Sequence, residues 1–193
     1  MAKKTGEKYQ AIIDAAVRVI AKQGYHNAQV SRIAKEAKVA DGTIYLYFEN
    51  KDDILVSLFH EKMMKMIELG SKLQELDSVE AKLYVFIQTH LATMMQNPEY
   101  AIVTQIELRQ SNPDLNKGIG EVLKKYFDII DDIVREGIEK GTFIDIDVRL
   151  ARTMIFGTLD QAVTSWVMKQ CKYDLTSLID PIHNLFLQAL KKA

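Results

Sequence analysis

Apolar residues recur every three or four positions along almost the whole chain, and that spacing predicts helices. Ile12, Ile13, Ala16, Val17, Val19 and Ile20 form the first stripe, and Gly24 follows as a natural stop. A short helix is expected over 30–37, with Ile33 and Ala34 inward, and another from Asp41 to about Tyr47. Asn50 then caps a long helix that carries Asp52 and Asp53 in its first turn, where the dipole favours negative charge. Its apolar positions continue through Ile54, Leu55, Leu58, Phe59, Met63, Met66 and Ile67. Asp77, with Glu80 three residues later, opens a helix ending near Asn97. Asn97-Pro98 and Asn112-Pro113 each set an N-cap before a proline at the first helical position. Gly141 closes the helix that holds Tyr126 to Glu139. Asp147 opens one to about Cys171, and Asp174 a last one to about Leu190. Period-two alternation is confined to Phe143–Asp147, too short to build a sheet.

Composition narrows the class. Of 193 residues, 48% are hydrophobic and 26% charged, with nine Gly and three Pro, which excludes disorder and collagen. A single Cys cannot form an internal disulfide framework and favours a reducing compartment. The first residues contain no apolar run of the kind a signal peptide needs. The longest uncharged stretch, Leu83 to Pro98, is interrupted by polar residues and falls short of the roughly 20 apolar residues that span a bilayer. A soluble, cytoplasmic protein with no membrane partner is expected.

The net charge of −1 hides an asymmetry: residues 1–51 hold nine basic and five acidic side chains, so the head is basic and the remainder acidic. That pattern suits a protein whose head alone meets a polyanion. In the head, two short helices joined by about four residues follow a longer packing helix, which describes a helix-turn-helix. Ile33, Ala34, Ala37, Val39 and Ile44 are expected to form its buried cluster. Thr43, Tyr45 and Tyr47, flanked by Gly42 and Lys51, are left for an outward face. Thr and Tyr side chains suit thymine methyls, phosphates and base edges, and Lys51 lies where a helix start and a cation together hold phosphate.

Gly24-Tyr25, Ile33-Ala34-x-x-Ala37-x-Val39 and Gly42-Thr43-Ile44-Tyr45-x-Tyr47-Phe48-x-x-Lys51-x-x-Ile54-Leu55 together resemble the DNA-binding signature of the TetR family of bacterial repressors. The resemblance implies an all-α fold of about nine helices. It comprises an N-terminal three-helix helix-turn-helix domain over 1–50 and a C-terminal ligand-binding and dimerisation domain over 51–193. It places Gly42, Thr43, Tyr45 and Tyr47 in the major groove of operator DNA and Lys51 on the backbone. Asp41 and Leu46 stand on the same helix at positions the family often uses, and Ser31 and Arg32 start the preceding helix, where the family also contacts DNA. Gln29 departs from the Thr or Ser that the family often has as N-cap.

The body carries two further features. Leu175, Leu178, Ile179, Ile182, Leu185, Phe186, Ala189 and Leu190 make a stripe too wide for one neighbour. Between Val148 and Met168 apolar residues run nearly all round. These two C-terminal helices are expected to form the seam of a homodimer, which doubles the phosphate contacts available to one helix-turn-helix. The middle helices are rich in Met and aromatic residues, which adapt to an elongated apolar guest. Tyr84, Ile87, Leu91, Met94 and Met95 are candidate lining residues, with Ile106 on the next helix. Tyr126, Phe127, Ile130, Phe156, Leu159 and Trp166 are candidates opposite. Arg109, Asn112 and Arg152 supply a polar rim suited to an anionic head group.

Whole-chain similarity implies the subgroup of Gram-positive bacteria that represses fatty-acid-degradation genes and is released by long-chain acyl-CoA. The alternative is a repressor that senses a hydrophobic drug or another small apolar ligand, for which Glu107 and Asp160 are the acidic residues well inside apolar stretches. No cofactor, metal or enzymatic activity is expected: His26, His60, His90 and His183 are scattered without ligand spacing, and Cys171 has no neighbouring base.

Overall fold

The computed structural model describes residues 4–107 and 113–192. Among these the chain forms α1 (Glu7–Gln23), α2 (Val30–Glu36), α3 (Asp41–Tyr47), α4 (Lys51–Leu73) and α5 (Val79–Gln96). α6 (Pro98–Ile102), α7 (Pro113–Glu139), α8 (Val148–Met168) and α9 (Ile179–Leu190) follow. A π-helical turn, Val103–Glu107, continues α6, and a 3-10 turn, Leu175–Leu178, precedes α9. The described residues contain no strand, only an isolated antiparallel bridge between Phe143 and Lys191. The all-α expectation holds.

The caps follow local chemistry. Asn50 Oδ1 accepts from the Asp53 amide at 2.8 Å, and Asp147 Oδ1 accepts from that of Arg149 at 2.8 Å. At α5 the expectation is corrected. Ser78, in extended conformation, is the N-cap, with its Oγ accepting from the Ala81 amide at 3.2 Å, and Asp77 lies one residue outside. Asn97 turns its side-chain amide back to the Thr93 carbonyl at 2.9 Å rather than opening α6. α8 stops at Met168, short of Cys171, because Gln170 and Cys171 take left-handed φ values of 58° and 55°. Asp174 caps the 3-10 turn, so the last helix begins at Ile179.

The chain divides into two compact units, Met1–Lys62 with Glu99–Gly120, and Met63–Pro98 with Glu121–Ala193. The first unit therefore takes in the opening turns of α4 in addition to the helix-turn-helix. α1 packs on α2 and α2 on α3. Ile12, Ile13 and Ile20 of α1, Ile33 and Ala34 of α2, Ile44 of α3, Phe48, and Ile54, Leu55 and Leu58 of α4 are fully buried there. Ala37 and Val39, expected in that cluster, are only half-buried. The turn between α2 and α3 closes with the Val39 amide on the Ala34 carbonyl and Lys38 in a left-handed conformation at φ 57°.

In the second unit α5 packs against α8 and α9. Its core includes Leu83, Ile87, Leu91, Tyr126, Ile130, Ile155, Leu159, Val163 and Phe186. After α7, Gly141 turns the chain at φ 68°, and Phe143 folds back onto Gly137. A Cβ at Gly137 would stand 2.1 Å from the Phe143 ring, so any side chain there would displace it.

Candidate functional site

On α3 the buried anchor is Ile44, and successive residues advance about 100° around the axis. Asp41, Gly42, Tyr45 and Leu46 therefore share one exposed stripe, with Tyr45 56% and Leu46 57% accessible. A base edge and a thymine methyl are surfaces that such an exposed ring and aliphatic group can cover. A Cβ built on Gly42 meets nothing within 4 Å, so a phosphate or base can approach its backbone closely. Thr43 and Tyr47 do not join Tyr45 on that face, because two residues correspond to about 200° of helix. Both are half-buried on the flank, and the Tyr47 ring lies 6.1 Å from that of Tyr9.

Ser31 and Arg32 are exposed on α2. Gln29 is the N-cap without a side-chain bond. Arg32 lines an open cleft in the first unit with Arg18, Lys22 and Lys35, where Arg18 is paired to Glu36 at 2.8 Å. Lys51 is the first residue of α4. Its ammonium is turned inward, donating to the Tyr25 and His26 carbonyls at 2.8 and 3.1 Å and lying 4.5 Å from the centre of the Tyr25 ring. Only its third hydrogen is left for a phosphate. The Tyr25 hydroxyl bonds Asp52, so Lys51 and Asp52 together tie the start of α4 to the end of α1.

In the second unit, Phe86 and His90 of α5 face Tyr126 of α7, with ring centres 5.2 and 6.0 Å away. Phe156 of α8 stands edge-on to Tyr126 at 6.1 Å and to Phe127 at 4.9 Å. Ile87, Leu91, Ile130 and Leu159 are fully buried and Met94 nearly so, while Met95 and Phe127 are half-buried. Of the sequence-based pocket candidates, Tyr126, Phe127 and Phe156 thus meet in one aromatic cluster. His90 belongs to it although the sequence reading passed it over. His90 Nδ1 lies 2.6 Å from the Tyr126 hydroxyl, and burial holds its imidazole down to about 4, against the opposing pull of the Asp160 carboxylate. The readable signal is its place four residues after Phe86 and four before Met94, on an apolar row.

Three candidates, Tyr84, Trp166 and Ile106, lie elsewhere. Tyr84 is about 200° from Phe86 around α5 and stands edge-on to His183 of α9 at 5.1 Å. A hydrogen bond to Asp180 raises its phenol above the ordinary range. Trp166 is a core residue whose indole N–H donates to the Tyr173 carbonyl at 2.7 Å, closing the turn after α8. Ile106 is 46% accessible and belongs to the first unit. Arg152 is not a free cation: its Nη1 lies 2.9 Å from Asp131 Oδ2 and its guanidinium 5.4 Å from the centre of the Phe127 ring. Asp131 is the buried acid of this unit, which the sequence reading missed, and Arg135 approaches the same oxygen at 3.4 Å. Arg109 and Asn112 lie outside the described residues.

Among the described residues no group of His, Cys, Asp and Glu is placed to hold a metal ion, and no helix is long and apolar enough to cross a membrane. A helix-turn-helix with an exposed stripe, joined to a second helical unit, is the arrangement of a DNA-binding regulator of transcription. Two family models match: bacterial regulatory proteins of the tetR family over residues 12–58, and the C-terminal region of YsiA-like proteins over 59–189. The chain belongs to the TetR family of bacterial regulatory proteins.

It is 51% identical to the fatty acid metabolism regulator protein of Bacillus subtilis, over 97% of this chain and 98% of that one. Its fold matches the fatty acid degradation regulator FadR of Bacillus halodurans with a TM-score of 0.92 at 57% identity, over 96% and 97% of the two chains. It matches FadR of Bacillus subtilis, solved in complex with stearoyl-CoA, with a TM-score of 0.90 at 52% identity, over 93% and 97%.

Proposed function

We propose that two copies of this chain bind operator DNA as a repressor of fatty-acid-degradation genes, in the cytoplasm, and that long-chain acyl-CoA releases them. The observation that carries the reading is the aromatic cluster around Tyr126, in a chain 52% identical to a regulator solved with stearoyl-CoA. On the DNA side, Asp41, Gly42, Tyr45 and Leu46 present the reading face, Thr43 and Tyr47 flank it, and Ser31, Arg32 and Lys51 hold phosphates. On the effector side, Ile87, Leu91, Met94, Met95, Tyr126, Phe127, Ile130, Phe156 and Leu159 line the hydrocarbon path. Arg109 and Asn112 remain candidates for the head group.

The dimer seam is supported by α8. Leu150, Gly157, Gln161 and Met168 fall within about 40° of one another around that helix, and all four are exposed. Leu150 and Met168 are 60% and 73% accessible, and Leu185 of α9 is 55% accessible. A second copy covers such a face.

Energetics permit the switch. Ten buried methylenes supply on the order of 8 kcal/mol, whereas a hundredfold loss of operator affinity needs about 2.7 kcal/mol of coupling. α4 and α7 each contribute residues to both units, and displacement of α4 by the effector would change the spacing of the two reading heads. The test is to let the protein select a duplex from a random pool, then titrate that complex with stearoyl-CoA. Release at micromolar effector is expected; a complex that survives overturns the acyl-CoA reading.

A further inference from the structure

His90 is an unusual residue for the place it occupies. Phe86, His90 and Met94 stand one turn apart on one row of α5, and the Tyr126 ring of α7 faces the first two, with ring centres 5.2 and 6.0 Å away. The imidazole is 4% accessible. One nitrogen, Nδ1, is 2.6 Å from the Tyr126 hydroxyl, while the other, Nε2, has no hydrogen-bond partner among the described residues. A buried polar atom left without a partner costs about 1–3 kcal/mol, so a phenylalanine at this position would serve packing better.

The proton inventory says what Nε2 seeks. Burial keeps the ring neutral near pH 7, the nearby Asp160 carboxylate notwithstanding, so one nitrogen carries hydrogen and the other accepts. In the tautomer that has the Tyr126 hydroxyl donating into Nδ1, Nε2–H is a buried donor beside the aromatic cluster. The matching ligand group is an uncharged acceptor joined directly to hydrocarbon. A phosphate would arrive as an anion needing a cation, and an alkyl chain offers no acceptor at all.

We propose that His90 Nε2 donates a hydrogen bond to the thioester carbonyl of the bound acyl-CoA, with Tyr126 as the positioning residue that sets the tautomer. The sensor then recognises the thioester as well as the length of the chain. This rests on acyl-CoA being the effector, and the experiment separates the two claims.

Calorimetry compares stearoyl-CoA with S-octadecyl-CoA, a thioether that keeps the chain and the nucleotide but lacks the carbonyl. The wild type is expected to bind the thioester about tenfold more tightly or better, a difference of about 1.4 kcal/mol or more. His90→Phe is expected to bind both ligands alike, at the thioether's affinity, and His90→Gln, which retains an N–H, to recover part of the preference. Nitrogen NMR of the histidine ring is expected to show the Nε2–H tautomer, and Tyr126→Phe to loosen that preference and narrow the discrimination. Equal binding of both ligands by the wild type, an Nδ1–H ring, or undiminished discrimination in His90→Phe overturns the proposal. Failure of both ligands to bind the wild type overturns the acyl-CoA reading itself. Should His90→Phe fail to fold, the wild-type comparison and the tautomer still decide.

Discussion

Lys82 Nζ bonds both carboxylate oxygens of Glu136, at 2.7 and 2.9 Å, and so clamps the start of α5 to the end of α7. The Lys82 side chain is only 5% accessible, so its ammonium depends on that carboxylate, whereas Lys140, bonded to the same group at 2.8 Å, is half in water. Removing one partner of a buried pair leaves the other charge stranded.

Glu136→Ala should therefore lower stability by about 3 kcal/mol, while Lys140→Ala should change it by less than about 1 kcal/mol. Lys140 and Lys82 hold the Glu136 carboxyl below its ordinary range. A depressed acid stabilises the fold above its unfolded value and loses that contribution as pH falls through the folded one. Urea unfolding at pH 7 and at successively lower pH is expected to show this loss in the wild type and not in Glu136→Ala.

His90 produces a separate acid sensitivity with the opposite origin. Its folded value is held down to about 4 from an unfolded value of 6.5, so below 6.5 the unfolded chain takes up a proton that the fold refuses. Stability should be full above pH 6.5 and decline toward pH 4, by on the order of 3 kcal/mol. His90→Gln is expected to flatten the unfolding free energy across that window; an unchanged slope would place the acid sensitivity in other groups.

On the DNA side, Tyr45→Ala should weaken binding to the selected duplex about tenfold and leave the oligomeric state unchanged. Arg32→Ala should act differently, lowering the slope of log affinity against log salt by about one through loss of a phosphate contact. Binding isotherms at several salt concentrations separate the two. Full affinity in Tyr45→Ala would remove that ring from the groove.

Gly157→Arg tests the seam on α8. A Cβ at Gly157 meets nothing within 4 Å, so the single chain tolerates the change. Across a dimer interface, however, the guanidinium would be driven into the partner. Light scattering should report a folded monomer with weakened DNA binding, and an intact dimer would move the seam elsewhere.

Lys38→Gly should stabilise the head. The φ of 57° strains a side-chain-bearing residue, and glycine relieves that strain while adding freedom to the unfolded chain. The net gain expected is about 0.5 kcal/mol, or roughly 1–2 °C in Tm, and Lys38→Val should move Tm the other way.

The helix-turn-helix was readable because its contacts are local. Ile33, Ala34 and Ile44 meet across a four-residue turn, and the spacing of small and apolar residues that permits this is written in consecutive positions. Helix ends were readable where a single side chain decides them, as at Asn50 and Asp147, and missed by one residue where two adjacent caps compete, as with Asp77 and Ser78. Face assignment was less secure: Tyr84 and Phe86 look alike in composition, yet two residues of helix send one toward His183 and the other toward Tyr126.

Periodicity and capping residues were enough to establish an all-helical chain, since both depend on neighbours within a few positions. The partners of charged and polar groups were not accessible in that way. Arg152 read as a rim cation until α7 brought Asp131 to it across 21 positions, and His90 read as a stray histidine until Tyr126 met it from 36 positions away. Apolar burial is non-directional and is satisfied by any apolar neighbour, so a linear pattern suffices for it. A buried ion pair or hydrogen bond needs one particular atom at one distance and angle, and folding alone brings that atom into place.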